Sequence, residues 1–155
     1  MAKQERPGRW DYTVLLEGLE PKLIHNGRTM KLDKLVAVAD KERQRMYYYF
    51  IEADRATAAL QTGLPRKRSI RDKAERFYRY AQDVGFRKHF GIPGARLLFL
   101  VPEEKDARVE SIRRTVETSR SIPNDTNLFH YLTVFPQQLD APEMILEGLC
   151  DVKRE

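Results

Sequence analysis

A mixed β-sheet flanked by helices is the α/β fold this sequence predicts, and three observations predict it. An Asn-Gly pair inside the stretch Leu23 to Met30 marks an antiparallel hairpin. The aromatic run Met46 to Ala53 reads as a strand and is followed by a helical pattern. A nearly all-apolar, strand-sized run, Ala95 to Val101, comes next. The strand–helix–strand–helix–strand succession from Met46 to Phe135 needs crossovers, so part of the sheet is expected to be parallel.

Residues 1–9 read as a flexible lead-in, broken at Pro7 and Gly8, and residues 10–155 as one domain. Trp10 to Leu19 fits either period: Tyr12, Val14 and Leu16 alternate, whereas Val14, Leu15 and Leu19 suit a helix face. Met30 to Ala39 reads as a strand and Asp40 to Gln44 as a charged loop before the tyrosine-rich strand. After a break at Gly63-Leu64-Pro65, Ser69 is the expected N-cap of a helix to about Val84. Its buried stripe is Ile70, Ala74, Phe77, Ala81 and Val84, with Gly85 and Gly91-Ile92-Pro93-Gly94 ending it. Glu103 to Arg120 is a second helix, with acids early and bases late as the helix dipole favours. Leu128 to Phe135 reads as a strand and Pro142 to Leu149 as a short helix.

No apolar run is long enough to cross a bilayer by helix, and Met1 to Trp10 lacks the apolar core of a secretory signal. Membrane partners are therefore not expected. Cys150 stands alone, which rules out an internal disulfide and makes a reducing, cytoplasmic compartment the simplest expectation. Net charge is +5, and Arg66, Lys67, Arg68, Arg71 and Lys73 crowd into the segment 66–73. Such a run is either a solvated helix face or a surface for a polyanion such as nucleic acid. His25, His89 and His130 lack neighbours at zinc spacing, and Cys150 lacks an adjacent histidine. There is no Walker loop and no G-x-G-x-x-G, which disfavours nucleotide hydrolysis.

The best-specified candidate site is acidic. Glu52 and Asp54, two apart near a strand end, share a face with Tyr48 and Phe50, and Asp33 starts the neighbouring strand. Three carboxylates converging there suit a hard divalent cation, Mg²⁺ or Mn²⁺. Lys73, near the start of the following helix, is placed to reach the same rim and hold a phosphate. The competing reading ends these acids in water or pairs them with Arg55, Arg71 or Lys73, the commoner fate of strand-end carboxylates. Arg55 and Thr57 serve either as phosphate donors or as turn structure. Tyr47, Tyr48 and Tyr49 serve either as base-stacking rings or as sheet packing.

Leu32-Asp33-Lys34-Leu35-Val36-Ala37-Val38, the stretch Tyr49 to Thr57, and Lys73 with Tyr78 and Tyr80 together resemble the replication-relaxation family. That family is similar in fold to the PD-(D/E)XK nuclease superfamily, so the resemblance implies a restriction-endonuclease-like fold. It spans roughly residues 30–135, with Glu52 to Thr57 its distinctive part. It implies Asp33 as the motif aspartate, Glu52 as the acidic member and Lys73 as a lysine moved from strand to helix. Leu32 and Ala56 stand where the family usually has proline and glycine, and Asp54 stands where a nuclease motif has its lysine. Catalysis then depends on Lys73.

The resemblance thus implies a DNA-binding or DNA-processing protein serving a plasmid or other mobile element. In the active case, Asp33, Glu52 and Asp54 hold Mg²⁺ or Mn²⁺, and Glu52 and Lys73 carry water-mediated phosphodiester cleavage. Arg66, Lys67, Arg68 and Arg71 contact DNA. The upstream winged-helix segment that such proteins often carry is not expected ahead of residue 10, which leaves DNA contact to the basic segment or to a protein partner. The alternatives are a catalytically inactive nucleic-acid- or protein-binding module of the same fold, and a structural domain that forms a homodimer.

Overall fold

Asn26 and Gly27 both adopt positive φ, 50° and 72°, the backbone that a two-residue hairpin turn requires. They join β2 (Lys22–His25) to β3 (Arg28–Lys31) in an antiparallel two-stranded sheet, in which Leu23 lies opposite Met30 and both are buried. In this computed structural model, residues 9–16, 19–54, 69–83, 85–102, 106–124 and 126–134 are described. Around the hairpin run β1 (Trp10–Leu15), β4 (Lys34–Asp40) and β5 (Arg45–Ala53). They are followed by α1 (Ile70–Gln82), α2 (Gly85–Phe90), β6 (Arg96–Pro102), α3 (Asp106–Glu117) and β7 (Phe129–Val134).

The main sheet has the order β1-β4-β5-β6-β7. Its front, β1-β4-β5, is antiparallel, and β5-β6-β7 is parallel, as the crossovers through helices demand. The mixed α/β architecture is the one expected, but the antiparallel front is made by β1, β4 and β5. The Asn-Gly hairpin forms its own small sheet, inserted between β1 and β4. The single strand expected over Met30 to Ala39 is accordingly two. Leu32 turns inward, 2% exposed, and its N–H donates to the Pro21 carbonyl, so the chain leaves one sheet at this point and enters the other at Lys34.

Strand alternation sorts the core onto two faces. Leu35, Phe50, Leu97, Phe99 and Val101 join Ile70, Ala74 and Phe77 of α1, Phe86 of α2, and Ile112 and Val116 of α3. Val36, Val38, Tyr49, Ile51, Leu98 and Leu100 form the cluster on the opposite face. Phe50 lies at the centre of the helix side, with rings of Phe77, Phe86 and Phe90 at 5.4–5.8 Å, in the range where aromatic pairs attract. Tyr49 is buried against the other face and Tyr48 packs with the helices. The tyrosine run therefore packs the sheet on alternate sides.

α1 starts at its expected cap, where Ser69 Oγ accepts from the Asp72 N–H at 3.1 Å. Tyr80 is buried on this helix, and Ala81 is only partly so. Gly85 does not close the helical region as expected. It opens α2, because the chain there presses on Tyr80. A Cβ at Gly85 would lie 2.5 Å from Tyr80 Cζ, while the Tyr80 hydroxyl donates to the Gly85 carbonyl at 2.9 Å. Burial pushes the Tyr80 phenol up to about 12.

At the opposite rim from the β5 terminus, Arg9 grips Asp40 through two bonds of 2.9 Å, and Arg9 therefore belongs to the folded sheet. With the backbone N–H groups of Glu42 and Arg43, Arg9 draws the Asp40 carboxyl down to about 2, the guanidinium bonds being the largest cause. The rest of the expected lead-in, residues 1–8, lies outside the described residues. So do the Gly63-Leu64-Pro65 break, Val84, residues 103–105, Phe135 and the helix expected over Pro142 to Leu149. Among the described residues no helix is long and apolar enough to cross a membrane.

Gly85→Ala should destabilise the protein by about 1–3 kcal/mol through overpacking against Tyr80. Urea denaturation checks this, and the cost should shrink in a Tyr80→Leu background, where the obstructing ring is gone.

Candidate functional site

Period two puts Glu52 on the helix side of β5, in line with Tyr48 and Phe50, and one residue past the strand Asp54 follows the same direction. Each meets a cation carried by a helix. The Glu52 carboxylate and Lys73 Nζ of α1 form an ion pair, with side chains only 15% and 17% exposed. Ser69 sets this position, since its cap starts the helix and its carbonyl accepts the Lys73 N–H at 3.0 Å. Asp54, buried, is held by Arg108 of α3: Nε donates to Oδ2 at 2.8 Å and Nη2 to Oδ1 at 3.3 Å. The Asp54 N–H donates to the Leu100 carbonyl at 2.7 Å, which ties the residue to β6.

Asp33 joins from just ahead of β4. Its N–H donates to the Ile51 carbonyl at 3.0 Å, extending the β4–β5 ladder by one residue, and its Oδ2 accepts the Ala53 N–H at 2.7 Å. The Asp33 side is exposed, whereas Asp54 lies on the buried side of the same rim. All four expected rim residues are thus brought to the end of β5.

Burial is the main force on Glu52 and pushes its carboxyl up to about 7. The charge and hydrogen bond of Lys73 oppose that rise, and the negative charges of Asp33 and Asp54 add to it. A carboxyl that titrates near neutrality can give or take a proton at working pH.

The arrangement divides the three acids as donors to a cation. Both Asp54 oxygens accept from the Arg108 guanidinium. Glu52 presents Oε1 to Lys73, and Asp33 presents Oδ2 to the backbone of Ala53. Among the described residues no group of three His, Cys, Asp or Glu is arranged to hold a metal ion. Asp54 is thus engaged by Arg108, while Glu52 and Asp33 keep their separate partners.

Of the residues expected to contact DNA, Arg66, Lys67 and Arg68 lie outside the described residues, as do Arg55 and Thr57. Arg71 turns toward α3, where its Nη2 donates to Thr118 Oγ1 at 3.1 Å. Arg108 is the residue that sequence reasoning missed. Its signal was the demand of a buried carboxylate for a cation, together with a first turn of α3 that follows directly on β6, the parallel neighbour of β5.

With the geometry established, comparison with known proteins adds no relative: no family model, no curated protein and no solved structure matches the chain.

The raised Glu52 carboxyl sets a pH dependence of stability. Below the ordinary carboxyl value of 4.5 both folded and unfolded chains hold the proton, and the contribution is fully present. As pH rises from about 4.5 to about 7 the unfolded chain releases its proton while the folded one keeps it, so stability falls, by an amount on the order of 3 kcal/mol. Glu52→Gln should flatten this slope in urea denaturation curves taken between pH 4 and 8, relative to the parent protein.

Proposed function

We propose that this chain is a DNA-processing protein of the replication-relaxation type on a restriction-endonuclease-like fold, with its working centre at the rim shared by Asp33, Glu52 and Lys73. The observation that carries this reading is the Glu52–Lys73 ion pair, which joins a strand-end carboxylate to a helix amine beside a second carboxylate. Support for the fold comes from the mixed sheet, where an antiparallel front leads through a helix into parallel strands, with the acids at the junction of the two parts.

In this reading Asp33 and Glu52 would hold Mg²⁺ or Mn²⁺, which would supply positive charge to a scissile phosphate and acidify a water. Lys73 holds and orients the phosphate. Glu52, paired with Lys73, keeps that amine at the same rim. Asp54 stays with Arg108, fixing the start of α3 against the end of β5. The net charge of +5 and the basic segment 66–73 supply the attraction to the DNA backbone.

A second reading is favoured by the Asp54–Arg108 fork. Because both oxygens of that acid are occupied, the fold serves as a catalytically silent module that binds DNA. The two readings share DNA binding and part at cleavage.

Incubation of supercoiled plasmid with the protein and Mg²⁺ or Mn²⁺ should produce nicking that Glu52→Ala and Lys73→Ala each reduce at least a hundredfold. Binding of labelled DNA should weaken steeply with salt and fall further on Arg66→Ala with Arg68→Ala. Salt-dependent binding without nicking establishes the silent module, and no binding at low salt overturns both readings.

A further inference from the structure

Between the β2–β3 hairpin and the second half of α1 lies a cavity of about 360 Å³. Buried Leu23, Met30 and Tyr80 close its floor, Arg28, Arg76 and Arg79 make it cationic, and among the described residues no carboxylate lines it. Carboxylates stand behind these cations: Asp72 accepts from Arg76 Nε at 3.1 Å, Glu75 lies 3.9 Å from Arg79, and His25, which also lines the cavity, pairs with Asp83. These pairs position the cations without using all their donors. Arg76 Nη1 is buried and has no hydrogen-bond partner, a donor that an anionic ligand would satisfy. The Tyr80 hydroxyl is engaged with the Gly85 carbonyl and with His89 Nδ1, and the buried residue closes the cavity floor.

Size narrows the ligand. The volume would hold about a dozen waters, so inorganic phosphate alone would leave most of it unfilled. Arginine forks match phosphate oxygens, and the volume leaves room for a compact body beyond the phosphate. We infer that this cavity binds a phosphate monoester on a nucleoside-sized body, either a free nucleoside monophosphate or the 5′-phosphorylated end of a DNA strand. The site shares no residue with the Asp33–Glu52–Lys73 rim and stands without the function proposed for that rim.

The test uses calorimetry on the full chain with AMP, adenosine and inorganic phosphate. AMP should bind saturably with a sub-millimolar Kd, and adenosine and phosphate at least tenfold more weakly. Arg28→Ala and Arg79→Ala, both at exposed positions, should each weaken AMP at least tenfold without moving Tm in the absence of ligand. Glu52→Ala should leave AMP affinity intact, which keeps this result separate from the rim. With AMP bound, a tenfold preference for a 5′-phosphorylated over a 5′-hydroxyl oligonucleotide supports the strand end, and no preference supports the free nucleotide. AMP binding no better than adenosine, or unaffected by both arginine substitutions, overturns the inference.

Discussion

A carboxylate cannot be taken into a protein interior unless a cation or a set of donors goes with it, and the end of β5 is built around that constraint. Asp54 is 3% exposed, Glu52 lies two residues before it, and Asp33 is adjacent, just ahead of β4. Three like charges this close would repel strongly in a medium that screens poorly. Each therefore has its own compensation: a guanidinium from α3, an amine from α1, and a backbone N–H from β5 itself. The two helices that cover the sheet are fixed at their starts by the charges they neutralise. Fold and site are consequently one arrangement, since loss of either cation would leave a partly buried acid uncompensated.

The same constraint separates the roles of the acids. Asp54, fully forked, is structural in every reading. Glu52 is the strained member, raised by burial and by its acidic neighbours and only partly relieved by Lys73. Asp33 is the accessible one. A raised carboxyl, an accessible carboxyl and an amine meet at one rim, and the proposed function rests on that group.

Much of this was legible in the residues because local chemistry dictated it. Asn26-Gly27 demanded a tight turn, Ser69 demanded a helix start, and the apolar run at residues 95–101 demanded two covered faces. The approach of Asp33 to Glu52 was read from the pairing of adjacent strands, and that of Lys73 from a helix returning across the strand's edge. What escaped depends on tertiary contact. Leu32 divides what reads as one continuous strand, because its burial redirects the chain between sheets. Gly85 looks like a terminator until the Tyr80 ring beside it is known. Arg108 lies far from Asp54 in the chain and carries no local mark of its role. The basic cavity likewise needs the hairpin to fold over α1 before Arg28 approaches Arg76 and Arg79.

The account stands or falls on the helix cations being required by buried acids, and a thermodynamic double-mutant cycle on Asp54 and Arg108 tests it most directly. Arg108→Met alone should cost about 3–5 kcal/mol, because it strands a buried charge, whereas Asp54→Asn with Arg108→Met should recover most of that loss. A single-substitution cost below about 1 kcal/mol, or no recovery in the double variant, would contradict the claim that charge compensation organises this end of the sheet.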